Sequence, residues 1–118
     1  MIQTVVKRDG RVVGFNELKI KAAIRKAMLQ TELGEDEALI DRISDHIAIN
    51  GDSQMTVEAI QDKVEFELMK SSRKEVARIY IAYRDKRNIA RQAKVRDMFL
   101  EIIEAKNNDI TRENANMN

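Results

Sequence analysis

The sequence of 118 residues contains no cysteine, no proline and no tryptophan, and its only histidine is His46. Without cysteine there can be no disulfide framework, no thiolate nucleophile and no cysteine-ligated zinc or iron–sulfur site. A single histidine cannot build a histidine-based metal site, and the sequence offers no promising catalytic group of serine, histidine and aspartate. We therefore expect no catalytic residue and no metal held by protein side chains.

Long hydrophobic runs are missing too. No apolar stretch approaches the ~20 residues that a membrane-spanning helix needs, and the first residues resemble a strand and not a signal peptide. The 21 basic and 20 acidic side chains nearly cancel, for a net charge of +1. This balance argues against a protein that coats nucleic acid, but it allows local basic pockets for small anions. We expect a cytoplasmic protein without a membrane partner.

The sequence begins with the pattern of a small hairpin. Strand-like segments at 4–6 and 12–15 flank Asp9-Gly10, a strong signal for a two-residue turn. Asn16, Asp36 and Thr56 are then the expected caps of three amphipathic helices. A fourth helix is expected to begin at Ser71 or Ser72, and a fifth amphipathic stretch follows it.

Apolar residues at helical spacing mark the faces that we expect to be buried. They are Ile20, Ala23, Ile24, Ala27 and Met28, then Leu39, Ile40, Ile43 and Ile47, then Val57, Ile60, Val64 and Leu68, and last Val76, Ala77, Tyr80, Ile81 and Tyr83. Because no proline or glycine follows residue 52, the fourth and fifth stretches can form one helix. The predicted fold is mainly α: a small N-terminal β-hairpin caps a four-helix layer, with a further C-terminal helix.

Five cationic residues crowd around the hairpin turn and the start of the first helix: Lys7, Arg8, Arg11, Lys19 and Lys21. They can protect an edge strand from aggregation, or they can hold phosphate where a strand end meets a helix N-terminus. From chemistry alone the two interpretations have similar weight. Asn16 is likewise either a helix cap or an amide that recognises adenine. No Walker motif is present, so a P-loop is excluded.

Two segments resemble the ATP-cone, a nucleotide-sensing domain at the front of many ribonucleotide reductases. They are VVKRDGRVVGFNELKIKAAIRKA (5–27) and MTVEAIQDKVEFELMKSSRKEVARIYIAYRDKRN (55–88). The tail NNDITRENANMN (107–118) is similar to the entry into the glycyl-radical core of anaerobic ribonucleoside-triphosphate reductases. The resemblance implies an ATP-cone at 1–90, a connecting amphipathic helix at 91–106 and a polar tail at 107–118. The chain would be the N-terminal fragment of an oxidoreductase, ending before its catalytic core.

The resemblance also implies a binding site for ATP or dATP, accompanied by Mg²⁺. Its expected residues are Lys7, Arg8 and Lys19 on the phosphates, Asn16, Val13, Ile20 and Ile60 around the base, Thr56 from the third helix, and Arg84 and Arg87 as further phosphate contacts. The implied function is allosteric control of overall activity, in which ATP favours an active enzyme and dATP switches it off through conformation or oligomerisation. The implied partners are the enzyme's own catalytic core and further copies of the chain.

Two other functions stay open at this point. Cones also occur in transcriptional repressors, and residues 84–96 are basic, but those repressors carry a zinc ribbon and this chain has no cysteine. A ligand-free oligomerisation module is the second alternative. Separately, an apolar stripe beyond the cone is expected to be a contact surface; it consists of Val95, Met98, Phe99, Ile102 and Ile103.

Overall fold

The computed structural model describes the backbone of residues 1–117 and the side chains of residues 1–106. Along this backbone the elements are β1 (Thr4–Val6), β2 (Val12–Gly14), α1 (Glu17–Met28), α2 (Glu37–Asn50), β3 (Gln54–Thr56), α3 (Val57–Lys70) and α4 (Lys74–Met117). The chain forms two compact units, residues 1–82 and the residues from 83 onward. The mainly α fold with a small N-terminal sheet is confirmed.

The hairpin forms where the Asp-Gly signal predicted it. Val5 pairs with Val13 in the antiparallel β1–β2 register. Gly10 has a φ of +89°, a conformation that glycine adopts without the steric cost of a side chain. The Lys7 N–H donates to the Arg11 carbonyl at 2.7 Å, so the loop consists of the three residues 8–10 and not of the two that were expected.

A third strand was not predicted. β3 pairs with β1 in parallel, with Val5 beside Met55, and the sheet order is β2-β1-β3. Its three residues are too few to show the alternation by which a strand is recognised in a sequence. The pairing turns the predicted hairpin into a three-stranded sheet and places Thr56 at both the end of β3 and the start of α3.

All three predicted helix caps are confirmed. The side chain of Asn16 accepts a hydrogen bond from the Leu18 N–H at 3.0 Å, and that of Asp36 accepts one from the Leu39 N–H at 3.2 Å. Thr56 accepts one from Ala59 N–H at 3.1 Å. The core contains most of the residues predicted to face inward, among them Ile20, Ile24, Met28, Ile40, Ile43, Ile47, Ile60, Val64, Leu68 and Val76.

The beginning of α4 differs from the prediction. Ser71 ends α3, and the first residue of α4 is Lys74. Val76, Ala77 and Tyr80 are buried as expected. Tyr83 was wrongly placed inward: it is 39% exposed and is the first residue of the second unit. The fourth and fifth amphipathic stretches form one helix, as the absence of proline and glycine allows.

Gly51 is required by packing and not by backbone conformation. A Cβ atom at this position would lie 2.4 Å from Cγ1 of Ile2 and 2.9 Å from the sulfur of Met55. The backbones of the N-terminal segment and of α2 are hydrogen-bonded as well, since the Ile2 N–H donates to the Ala48 carbonyl at 2.9 Å. The end of α2 therefore packs directly against the N-terminal segment and β3, and this contact positions the sheet.

Arg73 is a buried cation whose burial was not predicted from the sequence. Its guanidinium donates to the Thr31 hydroxyl at 2.9 Å and to the Gly34 carbonyl at 3.0 Å. Its Nε atom lies 2.5 Å from a carboxylate oxygen of Glu75. The side chain therefore ties the α1–α2 connection to the start of α4.

No helix within the described part of the chain is long and apolar enough to cross a membrane. The division into a cone at 1–90, a connecting helix at 91–106 and a tail at 107–118 remains a proposal. The side chains of the tail lie outside the described residues.

Candidate functional site

The first unit contains a half-open cleft between the sheet, the start of α1 and one face of α3. Its cavity volume is about 160 Å³. The lining residues are mostly apolar: Val5, Lys7, Val13, Gly14, Phe15, Asn16, Lys19, Ile20, Ala23, Val57, Ile60, Gln61, Val64 and Tyr80. Because β1 and β2 form one wall and α1 begins directly after β2, the basic turn and the helix start reach the same cleft.

Six of the ten predicted site residues line this cleft: Lys7, Val13, Asn16, Lys19, Ile20 and Ile60. Lys7 is half-buried at the end of β1, and Lys19 is exposed in the first turn of α1. Within residues 1–106 neither ammonium group has an ion-pair or hydrogen-bond partner. A helix N-terminus adds positive character, so this end of the cleft suits an anion.

Asn16 serves as a helix cap, and this use limits what it can offer a ligand. Its Oδ1 atom accepts the hydrogen bond from Leu18 N–H. The amide nitrogen, which only donates, is left for other contacts. The role of Asn16 in base recognition remains a prediction, for which the amide nitrogen offers a donor.

Arg8 and Thr56 do not line the cleft. The Arg8 guanidinium lies 2.6 Å from a carboxylate oxygen of Glu58 and donates to Oε1 of Gln61 at 3.0 Å. The Thr56 hydroxyl accepts the capping hydrogen bond from Ala59 N–H. Both side chains are thus bonded to the beginning of α3, and their nucleotide contacts stay predictions.

Arg84 and Arg87 belong to the second unit. The Arg87 guanidinium lies 5.9 Å from the centre of the Tyr83 ring and donates to its hydroxyl at 3.3 Å. Their predicted phosphate contacts remain predictions.

Gln61 and Tyr80 line the cleft although neither was predicted to. On α3, residues 57, 60, 61 and 64 have the spacing of a single helix face. Since Ile60 was already a candidate, this spacing could have indicated Gln61 as a neighbour on the same side. No sequence spacing could have indicated Tyr80 as a cleft residue, because its position depends on the packing of α4 in the first unit.

Glu17 is the acidic residue in the first turn of α1. The neighbouring Asp45 carboxyl raises the pKa of Glu17, burial raises it further, and Lys21 opposes both effects. Lys21 in turn lies 3.2 Å from a carboxylate oxygen of Asp41. Glu17 is therefore engaged with α2, and it does not pair with Lys19 at the cleft.

Comparison with known proteins identifies the family. The profile of the ATP cone domain matches residues 3–89. The vitamin B12-dependent ribonucleoside-diphosphate reductase of Thermoplasma acidophilum is 42% identical over 102 residues, covering 80% of this chain and 13% of that protein. The anaerobic ribonucleoside-triphosphate reductase of Escherichia coli is 33% identical over 120 residues, covering 98% of this chain and 17% of that protein.

A similar relation holds for the ribonucleoside-diphosphate reductase subunit alpha of Chlamydia pneumoniae, which is 36% identical over 107 residues, 81% of this chain and 10% of its own length. The chain thus spans less than a fifth of the length of each of these reductases. Since the profile covers the hairpin, the cleft and all four helix starts, the chain belongs to the ATP-cone family.

Proposed function

We propose that this chain is an allosteric sensor that binds ATP or dATP in the cleft of the first unit. The observation that carries the proposal is the combination of apolar walls with two ammonium groups, those of Lys7 after β1 and Lys19 in the first turn of α1, that have no partner within residues 1–106. A purine base suits the apolar part, and a triphosphate suits the cationic end. The volume of about 160 Å³ is below the ~300 Å³ of pockets that enclose a whole small ligand. The cleft would therefore enclose the base and leave the phosphates at its rim.

The sensed nucleotide would control the overall activity of an anaerobic ribonucleoside-triphosphate reductase in the cytoplasm, with this chain as its N-terminal part. The proposal is supported by matches to such enzymes from Escherichia coli and Haemophilus influenzae over 98% and 95% of the chain. ATP would favour the active state and dATP the inactive one. A nucleotide shifts such an equilibrium only by its difference in affinity for the two states.

Mg²⁺ would accompany the nucleotide without protein ligands of its own. In the part of the chain with described side chains, no three histidine, cysteine or acidic residues are grouped so that they could hold a metal. Mg²⁺ in nucleotide sites commonly binds substrate phosphates and keeps several waters. Its ligands would then be phosphate oxygens of the nucleotide and water.

Titration calorimetry and thermal unfolding with ATP and dATP, each with and without Mg²⁺, test this function. We expect both nucleotides to bind. At ~100 times the dissociation constant, the apparent free energy of unfolding should rise by about 2.7 kcal/mol, because the ligand binds only the folded state. CTP is the control for recognition of the triphosphate alone. Absence of both heat and a thermal shift with either purine nucleotide would contradict the proposal.

The second unit has a surface that we propose pairs with a second copy of the chain. Val95, Phe99 and Ile102 are 66%, 61% and 64% exposed, and Met98 and Ile103 extend the same stripe. Residues 84–96 are mainly basic, whereas the acidic residues Asp97, Glu101 and Glu104 follow. An antiparallel pair of these helices would place basic segments opposite acidic ones while covering both stripes. Nucleotides could then act by rearranging such an assembly.

Replacing Phe99 by glutamate is expected to abolish self-association through this stripe, since each copy would bury a carboxylate without a partner. Light scattering of the wild-type chain and of Phe99→Glu, with ATP and with dATP, measures the change. Phe66→Glu makes the same change at a phenylalanine of α3 that is 60% exposed and lies outside the stripe and the charged segments, so it serves as the control. A wild-type chain that stays monomeric under every condition would contradict the pairing and leave the stripe for another segment of a longer enzyme.

A further inference from the structure

Gln61 places a side-chain amide in the cleft, and the partner of that amide determines which of its atoms faces a ligand. The Gln61 side chain lies on the face of α3 that also carries Ile60 and Val64, and all three line the cleft. Oε1 of Gln61 accepts a hydrogen bond from the Arg8 guanidinium at 3.0 Å. A guanidinium has only donors, so the atom turned towards Arg8 must be the amide oxygen.

The position of Arg8 is itself determined by a second contact. The same guanidinium nitrogen lies 2.6 Å from a carboxylate oxygen of Glu58, one turn earlier on α3. Arg8 lies in the hairpin turn after β1, 53 residues before Gln61 in sequence. The sheet and α3 therefore hold the amide oxygen from outside the cleft, and the remaining amide nitrogen can only donate.

We propose that Gln61 is a specificity-determining residue that donates a hydrogen bond to a ring-nitrogen acceptor of the bound purine, and that Arg8 is its positioning residue. The inference rests on the proposed function of the cleft as a nucleotide site. The surroundings of Gln61 support it, since the neighbouring side chains on α3 are Val57, Ile60 and Val64 and offer a base no polar group. Adenine presents ring-nitrogen acceptors such as N3 and N7. A donor among apolar walls recognises such an atom and rejects a base that lacks it.

The test compares ATP with its 1-deaza, 3-deaza and 7-deaza analogues, each of which lacks one ring-nitrogen acceptor. We expect the wild-type chain to bind one analogue about three- to ten-fold more weakly than ATP, the usual effect of one neutral hydrogen bond. In Gln61→Glu this difference should disappear. Glutamate keeps the size of the side chain and the contact with Arg8, but an ionised carboxylate has no donor. The added negative charge affects the binding of all four ligands alike, so it does not change the ratio of their dissociation constants.

Arg8→Ala separates positioning from direct phosphate binding. If Arg8 orients Gln61, the variant loses the discrimination between ATP and the sensitive analogue. If Arg8→Ala instead weakens the binding of all four ligands by the same factor and keeps the discrimination between them, Arg8 is a phosphate ligand and its positioning role is overturned. Gln61→Met, which is neutral and has no donor, should repeat the result of Gln61→Glu.

The outcomes distinguish this inference from the function on which it rests. If the wild-type chain binds no ATP, the proposed function fails and the inference fails with it. If the wild-type chain binds ATP and all three analogues equally, or if Gln61→Glu keeps the wild-type discrimination, only the role of Gln61 is overturned.

Discussion

Replacing Arg73 by alanine is expected to lower the free energy of unfolding by about 3 kcal/mol, because it removes two hydrogen bonds from a buried guanidinium, and hydrogen bonds to charged groups contribute roughly 1.5–3 kcal/mol each. Only 10% of the side chain is accessible to solvent, so its interactions are little screened. The Gly34 carbonyl would lose its charged donor, and the Thr31 hydroxyl would lose one of its contacts. Such a loss is a large part of the 5–15 kcal/mol that stabilises an ordinary domain.

Urea unfolding followed by circular dichroism measures this change, with Arg78→Ala as the matched control on the next turn of α4. Arg78 is exposed, so its replacement should change stability by no more than about 0.5 kcal/mol. The stability of Arg73→Lys should lie between those of the two alanine variants, since an ammonium keeps the charge but lacks the planar arrangement of donors of a guanidinium. Equal stability of the Arg73→Ala and Arg78→Ala variants would show that the guanidinium network does not stabilise the fold.

The same network carries a pH dependence whose sign follows from Glu75. The hydrogen bond from Arg73 lowers the pKa of Glu75 below its ordinary value. A carboxyl with a lowered pKa in the folded state stabilises the protein above its ordinary pKa, and this contribution is lost as the pH falls through the folded value. The difference in stability between the wild-type chain and Arg73→Ala should therefore narrow in acid.

Removing either cleft lysine is expected to weaken ATP binding about ten-fold or more, since one charge-assisted phosphate contact is worth roughly 1.5–3 kcal/mol. Lys7 and Lys19 approach the cleft from β1 and α1, two separately positioned elements. The double replacement should therefore bind more weakly than either single one. The loss should be similar for ATP and dATP, because the two nucleotides carry the same triphosphate.

Lys63→Ala is the control, because Lys63 is an exposed lysine of α3 that does not line this cleft. Titration calorimetry of the three single variants should show a near-normal dissociation constant for Lys63→Ala alone. If all three replacements weaken ATP binding equally, the effect comes from the net charge of the protein, and the assignment of the phosphates to this end of the cleft is wrong.

The residues that line the cleft were only partly predictable. Lys7, Asn16 and Lys19 belong to one short segment whose pattern resembles a known family, and the structure brings all three to one cleft. Gln61 was missed because its proposed role depends on Arg8, 53 residues earlier in the chain. A sequence pattern contains no information about a contact of that kind unless one partner is already known.

The sequence by itself determined the local features of this protein. The turn at Asp9-Gly10, the caps at Asn16, Asp36 and Thr56, and most of the buried faces of the first three helices were predicted and are present; Ala23, predicted to face inward, is exposed. Each depends on backbone preferences, on hydrogen bonds or on spacing within a few residues of the chain. The turn and the caps form from such local interactions alone, whereas the apolar spacing only marks the face that packing then buries.

Only the tertiary structure decided the long-range features. β3 is a strand because it meets β1, and Arg73 is buried because Thr31 and Gly34, 42 and 39 residues away, accept its donors. Tyr83 fits the apolar pattern of its helix but lies beyond the first unit and is exposed. In each case a residue gained or lost its role through contact with a distant segment, and that contact exists only when the whole unit has packed.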